Sequence, residues 1–461
     1  MEYEELISAQ RNYFESKVTL PYDFRIAQLK KLLQIIIDYE KRLLESLFKD
    51  LHKGEFEAWG TEVGLVQTEI KYYILHLKKW MRPEKLSTPL FHFRAKSFIQ
   101  KVPYGKTLII APWNYPFLLS FRPLIGAIAA GNTVILKPSE NAPFTALVME
   151  EMINNNFENK FLHVINTDAA GTQLLLQKKF DFIFFTGGTK TGKLIYEAAA
   201  KNLTPVALEL GGKNPCIIDE TADLDITAAR ITMGAFSNSG QTCATPDFIL
   251  VPESLKEQLI QKIISKLESS IGKDAINSPD YGRIINTAHF DRIVKLLEGQ
   301  QIVYGGVTDR ETKYISPTII VDPSPDSAIM HEEVFGPVLT VIGYTDLEKA
   351  LLLINKNPDP LVIYLFSKNK TLIKRITEEF RCGDMVINEV VLYFGNLKLP
   401  IGGVGTSGIG KAQGKYSYEE FSHKKSVMRK YFFPEFGIRY PPYNQKKLQF
   451  LKRMFRWFMW R

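Results

Sequence analysis

Cysteine is scarce in this chain: three in 461 residues, Cys216, Cys243 and Cys382, with no C-x-x-C pair. That excludes a disulfide framework and a zinc ribbon, and fits a reducing compartment such as the cytoplasm. Histidine is sparse too, with seven scattered along the chain. His331-Glu332-Glu333 opens like a zinc-binding H-E-x-x-H helix, but Phe335 stands where the second histidine belongs, so no metal is expected. The N-terminus, Met1 to Leu6, is acidic with no apolar run behind it, which argues against a secretory signal. There is no repeat at solenoid spacing and no low-complexity linker.

Positive charge is missing from the body of the chain. The formal net charge is +8, yet residues 424–461 hold 11 Lys/Arg and one acid, Glu435, so the remainder is slightly acidic. A near-neutral body argues against nucleic acid, and a basic tail suggests an anionic surface or a partner. The rest of the composition, 45% apolar and 23% charged, is that of a soluble protein. At about 150 residues per domain the length allows two or three domains.

Residues 1–82 read as helical: Leu29, Leu32, Leu33, Ile36, Leu43, Leu44 and Leu47 keep a 3.6-residue period, a second such segment covers 62–80, and Pro83 ends the region. Residues 91–103 are rich in Phe, Ile and Val and suit an exposed ribbon strand. From Lys106 short apolar strands (107–111, 133–137, 161–165, 181–185, 206–210) alternate with helices (118–130, 142–154, 171–177, 192–201), the pattern of a parallel sheet covered on both faces. After Gly211 the pattern restarts and runs to Asn388, a second α/β unit. The Gly-rich stretch 399–414 reads as a long loop.

Cys243 lies in Ser239-Gly240-Gln241-Thr242-Cys243-Ala244, among small and polar neighbours, where a thiol can reach a ligand and act as a nucleophile once its pKa falls. Most free cysteines are small buried hydrophobes, and no histidine stands nearby to act as a base, which weakens a hydrolase reading. Gly187 to Lys193 fits G-x-x-x-x-G-K, but Leu194 replaces the magnesium-holding hydroxyl, so it reads as a Gly-rich strand-to-helix turn. Three further turns follow apolar stretches: one with Asn114 between Trp113 and Pro116, one with Glu209 before Gly211-Gly212, and one with Glu333 and Phe335 before Pro337. A carboxylate at the carboxyl edge of a sheet is where open α/β folds bind ligands; each turn alone could equally be a capped loop.

Together the stretches APWNYPF, GNTVILKPSE, FTGGTKTG, LELGGKNP, SGQTC, EEVFGPV and GGVGTSGIG resemble the aldehyde dehydrogenase superfamily, from about residue 100 to Ser426. The segment GKYSYEEFSHKKS and the tail resemble its class 3 (fatty and aromatic aldehyde) branch most. The resemblance implies an α/β fold with two Rossmann-like open parallel-sheet domains and a small β-ribbon oligomerisation domain. Residues 1–82 with 104–210 would bind NAD, 211–397 would carry the nucleophile, 83–103 with 398–434 would bridge two subunits of a homodimer, and 435–461 would be a basic tail. Cys243 matches the nucleophile, Asn114 the oxyanion donor and Glu209 the general base. Lys137 and Glu140 match the adenosine-ribose ligands, Glu333 and Phe335 the nicotinamide site, and Gly187 and Gly192 the close approach of a helix N-terminus to the cofactor. Glu140 would repel a 2′-phosphate, favouring NAD and leaving NADP possible. Gly188, where many relatives carry Ser or Asn, would loosen cofactor binding.

The implied reaction is oxidation of an aldehyde to the acid, with transfer to coenzyme A and an inactive relative as alternatives. A cysteine thioesterase working without nicotinamide is a third. In the tail, Leu448, Leu451, Phe455, Phe458 and Met459 would form an apolar helical stripe, broadened by Trp457 and Trp460 and flanked by Lys446, Lys447, Lys452, Arg453 and Arg456. Too short to span the ~30 Å hydrocarbon core, it suits a helix in a membrane interface, on the cytoplasmic face, and hence an apolar aldehyde; docking on the body or a second subunit is the other reading.

Overall fold

The computed structural model describes residues 3–459, without the side chains of Leu90 and of 457–459. The chain divides into two compact units, Met1–Trp80 with Val102–His423, and Met81–Lys101 with Lys424–Arg461.

The first unit holds two open sheets. In the first sheet, β1 (Lys106–Ile110), β2 (Thr133–Lys137), β3 (Leu162–Val164), β4 (Phe182–Thr186) and β5 (Val206–Glu209) run parallel. Their residues are buried almost throughout because helices cover both faces, which is why they read as unbroken apolar runs. The second sheet contains β6 (Pro215–Ile218), β7 (Phe248–Pro252), β8 (Ile302–Tyr304), β9 (Thr318–Val321), β10 (Val338–Tyr344), β11 (Val362–Phe366) and β12 (Asp384–Ile387). Its order is β8-β9-β10-β7-β6-β11-β12.

Neither sheet is wholly parallel. β8 runs antiparallel to β9, and β13 (Gly408–Ile409) runs antiparallel to β5, with Gly408 opposite Glu209. The stretch expected as a plain loop, 399–414, therefore supplies the edge strand of the first sheet. Only glycine permits this: a Cβ on Gly408 would lie 2.4 Å from the Leu208 carbonyl oxygen. The first sheet is ordered β13-β5-β4-β1-β2-β3, so the strand order reverses between β1 and β4. Ligands of open α/β sheets bind beyond the carboxyl ends at such a reversal.

The helix Pro116–Ala130 follows β1, with Pro116 in its first turn and Gly131 (φ 94°) closing it. The N-terminal helix Tyr22–Leu51 buries Leu29, Leu32, Ile36, Leu43 and Leu47 of the apolar stripe read from the sequence, with Leu33 and Leu44 half-buried, and the helix Gly64–Trp80 buries Val66, Ile70, Tyr73 and Leu77. Cys216 is fully buried, and Cys382, in the turn before β12, is half-buried against the edge of the second sheet's core.

The second unit contains a three-stranded sheet of Glu84–Leu86, Ala95–Pro103 and Ser422–Lys430. The expected strand at 91–103 starts only at Ala95, because Leu90–His92 forms a 3-10 turn and Arg94 is left-handed (φ 58°). The tail forms the helix Gln445–Met459. Leu448, Phe450 and Phe455 are exposed, and the Phe455 ring lies 6.0 Å from that of Phe91 in the same unit. The expected stripe positions Phe458 and Met459, and Trp457 and Trp460 beside them, lie outside the described side chains. Among the described residues no helix is long and apolar enough to cross a membrane.

Candidate active site

Asn114, Lys137, Gly187 and Glu209 all lie at the carboxyl ends of the first sheet: Asn114 after β1, Lys137 as the last residue of β2, Gly187 after β4 and Glu209 ending β5. Cys243 comes from the second sheet's side, in the connection from the helix Leu224–Phe236 to β7.

That connection is held in an uncommon conformation. Asn238, Ser239 and Gly240 are left-handed in succession (φ 52°, 50° and 69°). Such backbone is costly outside glycine and persists only where the surroundings impose it. The surroundings are visible. Asn238 N–H donates to Glu57 Oε1 at 2.6 Å, and its side-chain Nδ2 donates to the carbonyls of Asn114 (2.8 Å) and Gln241 (3.2 Å). Gln241 is fully buried, donates to the carbonyls of Asn238 and Arg283 and accepts from Ile285 N–H at 3.0 Å. Downstream, Asn214 Nδ2 donates to the carbonyls of Cys243 (2.8 Å) and Thr245 (3.1 Å), and Tyr364 OH donates to Ala244 O at 2.7 Å. A Cβ on Gly240 would lie 2.1 Å from the Gly336 carbonyl oxygen, so the thiol loop touches the Glu333–Phe335 turn directly.

Asn114 is buried, and its Nδ2 donates to Gln241 O at 3.0 Å. An amide nitrogen carries two hydrogens, so a second donor remains for a ligand. Cys243 and Glu209 line one cavity of about 50 Å³ with Leu119, Arg122, Phe184 and Phe394, and its walls are almost wholly apolar. That is room for a few water-sized atoms.

This dry setting governs the ionisable groups. Cys243 keeps partial exposure. Even so, burial first, then the Glu333 and Glu209 carboxylates, push its thiol up to about 12, while its own N–H and that of Ala244 act the other way. The lowered pKa expected for a nucleophile is thus absent from the protein alone, because desolvation and two acids outweigh two amides. Glu209 is pushed well above the usual carboxylate range by burial and then by Asp384, with Lys411 opposing. Its Oε1 is sealed from solvent and has no hydrogen-bond partner. Glu333 is raised in the same way, by burial and then Asp247, and its Oε1 is also buried and unpartnered.

The remaining expected residues divide. Lys137 is buried and paired with the half-exposed Glu140. Phe335 (φ 50°) packs edge-on against Trp113, ring centroids 5.2 Å apart. A Cβ on Gly211 would lie 2.0 Å from Glu333 Oε2. Gly192 differs from expectation. The helix starts at Thr189, not 192, and a Cβ on Gly192 would meet Leu210 at 2.6 Å, so this glycine serves helix–strand packing. A Cβ on Gly187 would meet the Phe185 ring at 2.5 Å; Gly188, at the helix N-cap, has open space around it.

The residues that fix this geometry were largely unassigned from sequence. Lys53 pairs with Glu62 at 2.6 Å, both fully buried, and Glu62 Oε2 accepts the Phe117 and Leu118 amides at the head of the helix that follows Asn114. Lys53 also lies over the Tyr115 ring, whose hydroxyl meets Thr242 Oγ1 at 2.8 Å. Asn214 and Lys213 sit inside the stretch LELGGKNP, which is the signal for them; Glu57 and Glu62 lie in the helical region 1–82, where nothing in the sequence sets them apart from other acids.

The fold and these turns have known counterparts. The pattern of the aldehyde dehydrogenase family matches residues 1–427. A 4,4'-diaponeurosporen-aldehyde dehydrogenase of Staphylococcus aureus is 45% identical over 96% of this chain and 97% of its own. The aldehyde dehydrogenase family 3 member A2 of Pongo abelii is 43% identical over 96% and 92% respectively. The solved substrate-bound state of Staphylococcus aureus AldH superposes with a TM-score of 0.96 at 44% identity, covering 98% of this chain and 99% of that one. The chain therefore belongs to the aldehyde dehydrogenase family, and within it to the class 3 branch.

Proposed function

We propose that this chain oxidises an apolar, medium- to long-chain or aromatic aldehyde to its carboxylic acid, with NAD preferred over NADP. The observation that carries the reading is that Cys243 and Glu209 line one apolar cavity. The Cys243 thiol gives up its proton to solvent, its sulfur attacks the aldehyde carbon, and Asn114 Nδ2 with the Cys243 N–H holds the alkoxide of the thiohemiacetal. The nicotinamide cofactor, when bound, supplies the hydride acceptor that turns this adduct into a thioester. Glu209 then takes a proton from water as its oxygen attacks the thioester carbon; the C–S bond breaks, and the acid leaves.

The residues fit such a cofactor: Glu333 Oε1 is a buried acceptor without a partner, and Gly188 leaves space at a helix N-terminus. Lys137 and Glu140 would hold the adenosine ribose, Glu333 the nicotinamide ribose, and Phe335 would wall that site. Glu140 disfavours a 2′-phosphate. On this reading the first sheet with residues 1–82 binds the cofactor, residues 211–397 carry the nucleophile, and the strands in 83–103 and 398–434 join a homodimer.

The test follows NADH absorbance with decanal, with and without coenzyme A, in the wild type and Cys243→Ala. Turnover independent of coenzyme A and lost in the variant is expected. No signal in the wild type overturns the reading; dependence on coenzyme A replaces water as acceptor. The basic, apolar tail favours peripheral membrane contact and an aldehyde drawn from the bilayer. Flotation with anionic liposomes should separate the intact chain from one ending near Pro441; equal flotation removes this part.

A further inference from the structure

The general-base reading of Glu209 leaves one buried cluster unused. Beyond the cavity wall, Ile401 and Ala412 pair across an isolated bridge, and both line the cavity. The bridge fixes their neighbours Gly402 and Lys411 behind Glu209. A Cβ on Gly402 would lie 2.9 Å from Glu209 Oε1 and 3.1 Å from Lys411 Cδ, so the Glu209 carboxylate and the lysine stem both lie against this bare glycine. Lys411 Nζ is tethered to the carbonyls of Gly402 and Gly383 (2.9 Å for Gly383) and to Asp384 Oδ1 at 3.4 Å. Tyr393 OH donates to the other Asp384 oxygen at 3.2 Å.

We infer that Lys411 and Asp384 are positioning residues that set the proton affinity of Glu209, the lysine holding the carboxylate in its proton-accepting form and the aspartate limiting that pull. This rests on Glu209 acting as the base. A base buried in a dry cavity binds its proton too tightly to be regenerated at neutral pH unless a cation stands near. The charges that face Glu209 are few. Arg122, on the helix after Asn114, lines the cavity and is paired with the buried Glu69 at 3.0 Å, so its charge is largely answered. Glu420 lies near the Lys411 amide, its Oε2 at 3.4 Å from that nitrogen, and adds an anion. Cys243 adds a thiol that is neutral in the free protein. Lys411 is thus the cation set against Asp384 and Glu420, and the direction of each effect on Glu209 follows the same signs: Asp384 and Glu420 raise it, Lys411 and Arg122 lower it.

The test uses the full-length enzyme with NAD. Release of labelled acid from the acyl-enzyme is followed by rapid quench with decanal across pH, in the wild type, Lys411→Met, Lys411→Arg, Asp384→Asn and Glu209→Gln. Lys411→Met should move the acid limb of deacylation upward by roughly one pH unit, the effect of a nearby, partly screened cation. Lys411→Arg should restore it, and Asp384→Asn should move it downward. A merely structural role would lower the rate in all variants without opposite displacements of the limb. Glu209→Gln should lose the limb together with deacylation. If it does, and Lys411→Met and Asp384→Asn leave the limb of the wild type in place, this inference is wrong while the base assignment stands. If Glu209→Gln deacylates like the wild type, both fall.

Discussion

Alkylation of Cys243 by iodoacetamide, followed across pH on the chain free of cofactor, measures how far its surroundings hold the thiol from ionising. Burial, then Glu333 and Glu209, push it up to about 12. At pH 8 such a thiol is ionised about once in 10⁴, against about a quarter for an ordinary cysteine near 8.5. The more basic thiolate is the better nucleophile, with a Brønsted slope of about 0.4–0.5, which returns roughly 40-fold. The net expectation is alkylation about 60-fold slower than that of an ordinary thiol, rising ~tenfold per pH unit with no plateau through the range where proteins stay folded. Cys216 is sealed in the core and Cys243→Ala reports whatever Cys382 contributes. Glu333→Gln removes the second-largest cause and should speed the reaction at alkaline pH, where Glu333 carries its charge. A plateau below about pH 9 in the cofactor-free chain would refute the electrostatic account of the site.

Asn114→Ala should lower kcat by ~10²–10³ with little change in the KM for NAD, the loss of one oxyanion donor, read by steady-state NADH formation. Gly211→Ala places a methyl where Glu333 Oε2 now lies, 2.0 Å away, and should raise the KM for NAD roughly tenfold, the effect of displacing one charged hydrogen bond. Lys53→Met leaves Glu62 buried without its cation and should cost ~3–5 kcal/mol in urea denaturation, far more than removing the exposed Lys41.

What could be read from the sequence was whatever rests on short-range pattern. The buried strands of both sheets announce themselves as apolar runs, and Cys243, Asn114 and Glu209 stand in turns whose residue types differ from their surroundings. What escaped depends on contacts between distant segments. Glu57 reaches the Asn238 amide across 181 positions, and nothing local separates it from Glu55, which is exposed. Gly408 reads as loop because a two-residue strand has no periodicity; its pairing with Glu209 is set by the sheet it joins. Gly192 was read as a helix start because a glycine three residues past the start of a helix and one at its start look alike until Leu210 is seen filling the space. The thiol's raised pKa escaped for a similar reason: the polar residues flanking Cys243 in sequence are not what surrounds its sulfur in space.

The absence of a histidine beside Cys243 acquires a physical reason from this geometry. An imidazole at the cavity would form a stable ion pair with the thiol and keep the sulfur permanently ionised, open to oxidation whenever substrate is missing. Two buried carboxylates do the opposite. Glu209 and Glu333 each raise the thiol and are themselves raised by burial. A low-dielectric space shared by three acids favours states with few negative charges, so each group that ionises makes the next one harder to ionise. The protein alone therefore favours the protonated sulfur.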